Sequence, residues 1–258
     1  MTASQLFAST DRTEPTSHGY SLLVAREAGQ IAAAQRLRHR VFAEEMGARL
    51  HTTAAGLDAD YFDDFCDHIL VRHDPTGEVV GTYRMLPPER AAEAGTLYSD
   101  LEFDLGRLSD IRHTLVETGR SCVHPDHRSG SVVGLVWAGI ARYMLLSGHR
   151  YLAGCASVPL DDGGAEAAGV WQRVRTRHYA DERRRVRPLL PYPVDAEPDS
   201  AGRGIVPPLL RGYLRLGAQV CGPPAHDRDF GVADFFVLLD LQRVDPRYLR
   251  FFLGEQRS

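Results

Sequence analysis

A glutamate and an arginine three residues apart, Glu117 and Arg120, stand near the end of an apolar, β-branched stretch. The pattern predicts a strand over residues 111–123, a turn containing Pro and Gly, and a buried helix over residues 131–147. A carboxylate at a strand end can accept a proton from an amine, and N–H groups at a helix start can hold an oxyanion or a phosphate. A surface ion pair on a core strand is the alternative interpretation of the same two residues.

Two charged stretches are further candidates for chemistry. Residues 57–67 hold five aspartates without the Gly and terminal Glu of an EF-hand loop, so they predict a solvated loop or a receptor for a cation or amine. Residues 173–187 are rich in arginine and predict a solvated face or a dock for an acidic partner. His124 and His127 are interrupted by Pro125 and lack a clear third ligand, so no metal site is predicted.

The composition excludes several functions. All 30 basic residues among the 258 are arginine, so a pyridoxal-phosphate Schiff base and a Walker A loop, which both need lysine, are ruled out. The formal net charge of -4 and the lack of a nucleic-acid module predict no nucleic-acid partner. The polar N-terminus and the lack of a long apolar run predict a cytoplasmic protein, and the four widely spaced cysteines predict free thiols.

The elements that must position these residues follow from periodicity. Residues 28–46 have helical spacing, and residues 67–73 and 78–86 form a hairpin around Asp74-Pro75-Thr76-Gly77. Residues 151–158 predict a strand of small residues, and residues 165–179 predict a helix. Strands are also expected at residues 20–26, 212–221 and 232–241, with a long loop over residues 188–208. Residues 1–18 are expected to be a flexible segment, and residues 19–258 one domain.

Several motifs occur in a familiar order. They lie at residues 37–47, 60–63, 80–87 and 117–120, followed by Cys122-Val123-His124-Pro125, Leu135-Val136-Trp137-Ala138-Gly139, Gly154-Cys155-Ala156-Ser157 and residues 207–218. In this order they resemble the GNAT-like superfamily that contains acyl-homoserine-lactone synthases. The chain is most similar to the ornithine-lipid N-acyltransferases, and the resemblance covers about residues 21–254.

The resemblance implies a single GNAT-like α/β domain, with a mixed, mostly antiparallel sheet flanked by helices on both faces. It implies an acyltransferase that moves a fatty acyl group, often 3-hydroxylated, from acyl-carrier protein to the α-amine of ornithine, giving lyso-ornithine lipid. A long-chain N-acyl-amino-acid synthase with another amine acceptor is one alternative. A non-catalytic acyl-carrier or lipid-binding module of the same fold is the other.

The roles of individual residues are expectations of the same kind. Glu117 is predicted to be the catalytic base, with Arg120 orienting it or binding the substrate carboxylate. Substrate binding is assigned to Arg38, Phe42, Asp60, Asp63, Arg84 and Phe103, with Asp60 and Asp63 receiving the side-chain ammonium. Binding of the acyl donor or stabilisation of the oxyanion is assigned to Val123, Arg128, Gly130 and Ser131. The carrier-protein dock is assigned to Arg173, Arg175, Arg177, Arg183, Arg184 and Arg185.

The donor is expected to be the phosphopantetheine thioester of acyl-carrier protein, with acyl-CoA as the alternative and with no permanent cofactor. In this chain the Gly of the pyrophosphate loop, Arg128-Ser129-Gly130-Ser131, stands one place earlier than in acetyl-CoA-dependent relatives. Ala48 stands where the lactone synthases carry a Trp, and this difference weakens the interpretation of the chain as a lactone synthase. Because the product has a long acyl chain, a peripheral membrane contact is a further expectation.

Overall fold

The computed structural model describes residues 16–17, 19–52, 54–128, 130–194 and 204–248. The chain divides into two compact units. Unit 1 comprises Met1–Glu93, Thr118–His149 and Asp245–Ser258, and unit 2 comprises Ala94–Glu117 and Arg150–Val244. The predicted flexible segment 1–18 lies outside the described residues except for residues 16–17, so the expected domain boundary stays a prediction.

The elements are numbered in chain order. The strands are β1 (Thr16–Ser17), β2 (Tyr20–Val24), β3 (Asp67–His73), β4 (Glu78–Leu86), β5 (Phe103–Asp104), β6 (Leu115–Val123), β7 (Tyr151–Pro159), β8 (Arg187–Pro188), β9 (Gln219–Val220), β10 (Ala225–Asp227) and β11 (Val232–Asp240). The α-helices are α1 (Ala28–His39), α2 (Pro88–Ala94), α3 (Gly130–Ser147), α4 (Ala165–Arg177) and α5 (Pro208–Arg215).

Unit 1 contains an antiparallel ladder in the order β1-β2-β3-β4. The hairpin of β3 and β4 has the predicted bounds, because the alternating apolar residues and the turn at Asp74–Gly77 act locally, with Gly77 at a φ of 73°. The helix predicted over residues 28–46 is α1 followed by a π-helical segment, Arg40–Glu45. A π-helical turn inside a longer helix is often found at functional sites.

Helix α3 packs against β2, β3 and β4 in unit 1. A Cβ atom at Gly139 would lie 2.8 Å from Ile69 Cγ2 and 3.0 Å from Leu22 Cδ1, so glycine is what allows this close approach. Among the described residues, α3 alone is long and apolar enough to span a membrane by length and composition, with a mean hydropathy of 1.4. A buried core helix passes the same test.

Unit 2 contains an antiparallel ladder in the order β7-β11-β10, with β9 also pairing with β11. A second, two-stranded antiparallel sheet joins β5 to β8. The strand predicted at residues 212–221 is wrong. Residues 208–215 form α5, with Pro208 at its first position and Leu210 and Tyr213 buried at helical spacing, and the strand there is only β9.

Strand β6 is shorter than predicted, since Arg112–Thr114 form a 3-10 turn before it. Its first residues, 115–117, belong to unit 2, and residues 118–123 belong to unit 1. Glu117 and Arg120 are therefore on one strand but in different units. The four cysteines are free thiols, as predicted, and Cys122 and Cys221 are buried.

Candidate functional site

Six charged side chains of unit 1 form what we call the Arg–Asp cluster. Three guanidinium groups alternate with three carboxylates, so the cluster is balanced in charge. The arginines come from α1, β4 and β6, whereas the aspartates come from the segment that begins before the 3-10 helix Tyr61–Phe65. The members are Arg38, Arg84, Arg120, Asp58, Asp60 and Asp63.

Arg38 is the centre of this cluster and is fully buried, with 0% of its surface exposed. Its Nε donates to Asp58 Oδ2 at 2.9 Å, and its Nη1 and Nη2 donate to the two oxygens of Asp63 at 2.9 and 2.6 Å. Nη2 also donates to the carbonyl oxygen of Asp58. These donors of Arg38 are used inside the protein, and its assignment to substrate binding stays a prediction.

Asp63 is also committed to the cluster. Its oxygens accept from Arg38, from Arg84 Nη1 at 3.0 Å, from Gln35 Nε2 at 3.0 Å and from the backbone N–H of Asp60 at 3.2 Å. Burial opposes its ionisation, but the hydrogen bonds and charge of Arg38, and then the charge of Arg84, hold the pKa of Asp63 far below its usual range. Both oxygens of Asp63 are thus occupied by donors of the protein, and its role as a receptor for the side-chain ammonium stays a prediction.

The accessible edge of the cluster consists of Asp60 and Arg120. The Asp60 side chain is 20% exposed and that of Arg120 is 14% exposed, whereas Arg84 is 5% exposed. Arg84 Nη1 donates to Asp60 Oδ1 at 2.6 Å, and Arg120 Nη2 donates to Asp60 Oδ2 at 3.3 Å. A polar group of a substrate reaches this edge more readily than the buried centre.

Glu117 lies in unit 2 and is buried, with 4% of its surface exposed. Its Oε2 accepts from the backbone N–H of Tyr98 at 2.6 Å, and its Oε1 accepts from that of Ser99 at 2.8 Å. Two backbone donors on the two oxygens hold the carboxylate in one orientation, as a positioned base requires. Its role as the base stays a prediction.

A second group of side chains in unit 2 was missed by the sequence reasoning. We call it the carboxyl–thiol cluster: Glu102, Cys155 and Asp234, whose ligand atoms lie within 4.8 Å of one another. Cys155 Sγ is 3.5 Å from Glu102 Oε2 and 3.5 Å from Ser99 Oγ. Ser157 Oγ donates to Asp234 Oδ1 at 2.6 Å. Ser99 therefore contacts both Glu117 and this cluster.

The electrostatics of this cluster keep protons on it. Burial, and next the negative charge of Asp234, raise the pKa of Glu102 to about 9. Burial and the charge of Glu102 raise the pKa of the Cys155 thiol well above its usual value. A metal ion would have to displace these protons, and the prediction of no metal stays a prediction. The sequence signal was the run of small residues around Cys155, but nothing in it linked positions 102, 155 and 234.

The predicted donor residues occupy the start of α3. Arg128 donates to both oxygens of Glu45, at 2.7 and 2.6 Å, and its Nε donates to the carbonyl oxygen of Val123 at 3.3 Å. Gly130 and Ser131 are the first two residues of the helix; Gly130 is exposed and Ser131 is half-buried. The guanidinium of Arg128 is thus used in an ion pair, and the donor role of this segment stays a prediction.

The two predicted aromatic residues of the pocket are core residues. Phe103 is 1% exposed, and its ring centre lies 5.8 Å from that of Phe236 in the interior of unit 2. Phe42 is 8% exposed and lies in the π-helical segment of unit 1. Both side chains are buried, and their assignment to substrate binding stays a prediction.

The arginines of the predicted carrier-protein dock are of two kinds: some contact a carboxylate or an aromatic ring of the protein, and the others are exposed. Arg184 donates to both oxygens of Asp110 at 2.6 and 2.9 Å, and the guanidinium of Arg185 lies 4.3 Å from the ring centre of Tyr179. The others are exposed: Arg173, Arg175, Arg177 and Arg183. Arg183 and Arg184 also line a polar cleft of about 730 Å³ in unit 2.

The fold is that of known N-acyltransferases. Residues 37–138 match the family described as the acetyltransferase (GNAT) domain. The AHL synthase LasI superposes with a TM-score of 0.53 at 14% identity, covering 92% of this chain and 98% of that one. FeeM, an N-acyl amino acid synthase from uncultured soil microbes, gives a TM-score of 0.53 at 12% identity, covering 86% and 90%. The predicted GNAT-like α/β fold with a mixed, mostly antiparallel sheet is confirmed.

Sequence comparison narrows the family. The chain is 38% identical over 247 residues to the L-ornithine N(alpha)-acyltransferase of Brucella abortus, covering 90% of this chain and 88% of the relative. It is 35% identical over 248 residues to the protein of the same name from Rhodobacter capsulatus, covering 90% and 94%. The chain is therefore an N-acyltransferase that belongs to the L-ornithine N(alpha)-acyltransferase family.

Proposed function

We propose that this enzyme transfers a fatty acyl group, often 3-hydroxylated, from acyl-carrier protein to the α-amine of ornithine. The product would be lyso-ornithine lipid. The observation that carries the proposal is the 35–38% identity to four proteins named L-ornithine N(alpha)-acyltransferase, over about nine-tenths of the chain. The same identity favours an enzyme over a non-catalytic binding module.

The reaction is aminolysis of a thioester. The amine nitrogen attacks the acyl carbonyl, the C–N bond forms, the C–S bond breaks, and the thiolate leaves and takes up a proton. An α-amine has a pKa near ~8, so a base at neutral pH has only a modest deprotonation to perform, typically worth ~10²–10⁴ in rate. Glu117 fits this role because two backbone N–H groups fix its carboxylate. Arg120 and Arg84 are proposed to bind the acceptor carboxylate.

Ornithine carries a second ammonium group that needs a partner. The oxygens of Asp63 accept from several donors of the protein, whereas Glu102 is half-buried and its pKa is raised to about 9 by burial and by the charge of Asp234. We propose that the side-chain ammonium binds at Glu102, which then loses its proton. Ser99 contacts both Glu117 and Cys155, so the base and this carboxyl–thiol cluster belong to one polar region of unit 2.

The first test is mass spectrometry of lipids from an expression host that lacks ornithine lipids. We expect N-acyl-ornithine with the wild type and with Glu93→Gln, an exposed glutamate that pairs only with the nearby Arg90 among the contacts described. We expect a loss of about 10²-fold or more with Glu117→Gln. Another N-acyl amino acid would show that the acceptor assignment is wrong, and would favour the alternative of a long-chain N-acyl-amino-acid synthase.

The donor and its dock are tested separately with purified enzyme. Reversal of the exposed Arg175, Arg177 and Arg183 to glutamate should raise the KM for acyl-carrier protein about tenfold with little change in kcat, since surface charges mainly affect encounter. The control is reversal of Arg26 and Arg36, which are also exposed. An unchanged KM would contradict docking there, and equal activity with acyl-CoA would contradict the need for the carrier.

We also propose that the enzyme acts in the cytoplasm, where acyl-carrier protein is found, and contacts the membrane peripherally on product release. A dozen methylenes contribute on the order of 10 kcal/mol of gross transfer energy into lipid. This favours release at a bilayer over release into water. Co-sedimentation with vesicles, with and without product, measures this contact, and an absence of enzyme in the vesicle pellet in both cases would contradict it.

A further inference from the structure

Arg120 has an unusual backbone. Its φ is 53°, and among the described residues it is the one non-glycine residue with a positive φ. This left-handed region is disfavoured for residues with a Cβ because the Cβ crowds the following carbonyl oxygen. Strained residues of this kind persist when surrounding structure holds them, and they are concentrated at functional sites.

The neighbouring residue makes the strain informative. Gly119 precedes Arg120, and a Cβ there would meet no heavy atom within 4 Å, while its φ lies outside the left-handed region. Glycine adopts a positive φ without this crowding. The chain therefore places the left-handed conformation on the arginine, although a glycine stands one position earlier. The left-handed conformation thus falls on a residue whose side chain contacts Asp58 and Asp60 in the Arg–Asp cluster.

Asp58 is the residue that can hold this side chain. Its Oδ2 accepts from Arg38 Nε at 2.9 Å and lies 3.3 Å from Arg120 Nε, so one carboxylate oxygen is shared by two guanidinium groups. Asp58 is 3% exposed, its N–H donates to the carbonyl oxygen of Gln35 at 3.1 Å, and its own carbonyl oxygen accepts from Arg38. Three hydrogen bonds therefore fix Asp58 to α1.

We propose that Asp58 is a positioning residue for the acyl transfer, and that it holds the guanidinium of Arg120 in the strained conformation from which it acts. This inference rests on the proposed function for the role of Arg120. A guanidinium held in advance does not have to be ordered when the substrate binds. Asp60 is the more exposed partner of Arg120. These two side chains form the accessible edge of the Arg–Asp cluster, where the substrate can bind.

The experiment is a double-mutant cycle with Asp58→Asn and Arg120→Gly. Glycine removes the guanidinium and also tolerates the positive φ, so it separates the side chain from the strain. The control is Asp74→Asn, because Asp74 lies on the hairpin turn, pairs with Arg72 at 3.6 Å and accepts from Ser21 at 2.6 Å. The kinetic readouts are kcat and KM for ornithine, and the structural readout is the unfolding equilibrium constant in urea.

We expect Arg120→Gly to lower kcat/KM about 100-fold and Asp58→Asn to lower it about tenfold. The double variant should be no worse than Arg120→Gly alone, since residues that act through one another are not additive. Asp74→Asn should leave kcat/KM unchanged. If Asp58→Asn causes the same fold-loss in the Arg120→Gly background as in the wild type, Asp58 acts independently of Arg120 and the proposal is overturned.

Unfolding tests the same proposal without activity. Because a left-handed residue with a Cβ is strained, Arg120→Gly should have an unfolding constant at least about fivefold smaller than Arg120→Ala. Equal constants would overturn the claim of strain. If the wild type makes no N-acyl-ornithine, the proposed function fails, and the coupling of Asp58 to Arg120 in the unfolding cycle still decides whether Asp58 holds Arg120.

Discussion

The Arg–Asp cluster and the carboxyl–thiol cluster both contain carboxyl side chains, but the pKa of the carboxyl group is shifted in opposite directions in the two clusters. In the Arg–Asp cluster of unit 1 each carboxylate contacts at least one guanidinium, and the pKa of Asp63 is lowered. In the carboxyl–thiol cluster of unit 2 Glu102 faces Asp234 and a thiol, and its pKa is raised to about 9. Both sets of groups are largely buried. Burial raises the pKa of both carboxyl groups; the arginines outweigh it at Asp63, whereas the charge of Asp234 adds to it at Glu102.

This difference in pKa indicates which cluster has a structural role and which can bind a cationic group of the substrate. A carboxylate already neutralised by buried arginines gains little from a diffusible cation, since its lone pairs are occupied. A protonated carboxyl beside another carboxyl can exchange its proton for an ammonium group. The comparison therefore moves the proposed receptor for the ornithine side chain from Asp63 to Glu102.

Asp63→Asn should break the Arg–Asp cluster and produce the largest effect. It would leave the fully buried Arg38 without a charged partner on one side, so we expect a loss of about 3–5 kcal/mol in the free energy of unfolding. Urea unfolding monitored by circular dichroism measures this loss. The matched control is Asp64→Asn, which changes the adjacent exposed aspartate. Similar small losses for both variants would show that the cluster is not a structural unit.

Glu102→Gln should sharpen the comparison through pH. A raised native pKa means that the folded state holds up to one more proton than the unfolded state between about pH 4.5 and about pH 9. Stability that this group provides at low pH is therefore lost as the pH rises, by up to about 1.4 kcal/mol per pH unit. We expect the wild type to lose more stability than Glu102→Gln between pH 6 and pH 9.

Thermal unfolding of both proteins across this range is the measurement, with Glu93→Gln as the control. Parallel curves for the wild type and Glu102→Gln would contradict a protonated Glu102. The same variant should also raise the KM for ornithine, because an amide cannot offer a negative charge to the ammonium. No such rise is expected for an acceptor amino acid without a second amine.

The smallest effect concerns the Cys155 thiol. Burial is the main cause of its raised pKa, and the charges of Glu102 and Asp234 add to it. In a variant whose other three cysteines are alanine, alkylation of Cys155 by iodoacetamide should be slow, and Asp234→Asn should accelerate it by only a few-fold. A rate typical of an exposed cysteine before any second substitution would argue against a buried, protonated cluster.

Local features of the fold were predictable from the sequence. The bounds of β3 and β4 followed from alternation and a turn that lie within a few residues of each other. The helix α5 was missed, although Pro208 and the spacing of Leu210 and Tyr213 were signals for it. The length of a short apolar run does not show whether the run forms a strand or a helix. Here Pro208, at the first helical position, is the signal that favours a helix.

The candidate site was predictable in its residue types but not in its pairing. The charges of Arg38, Asp60 and Arg84 were evident, yet sequence patterns do not show that Arg38 is buried and bonded to Asp58 and Asp63. Glu102 was missed because its raised pKa arises from burial and then from the charge of Asp234, which is far from it in the chain. Burial and contacts of this kind involve residues that are distant in the chain, so they arise only in the packed fold.

The Arg–Asp cluster also has a consequence for the order in which the chain assembles. Arg38 contacts Asp58 across 20 residues and Arg84 contacts Asp63 across 21, whereas Arg120 reaches Asp60 across 60. The entropy lost on closing a loop grows with its length, so the two shorter closures are favoured first. Until Arg120 arrives, three carboxylates share two guanidinium groups. The surplus negative charge then attracts the last cation, and the left-handed turn at Arg120 closes the network.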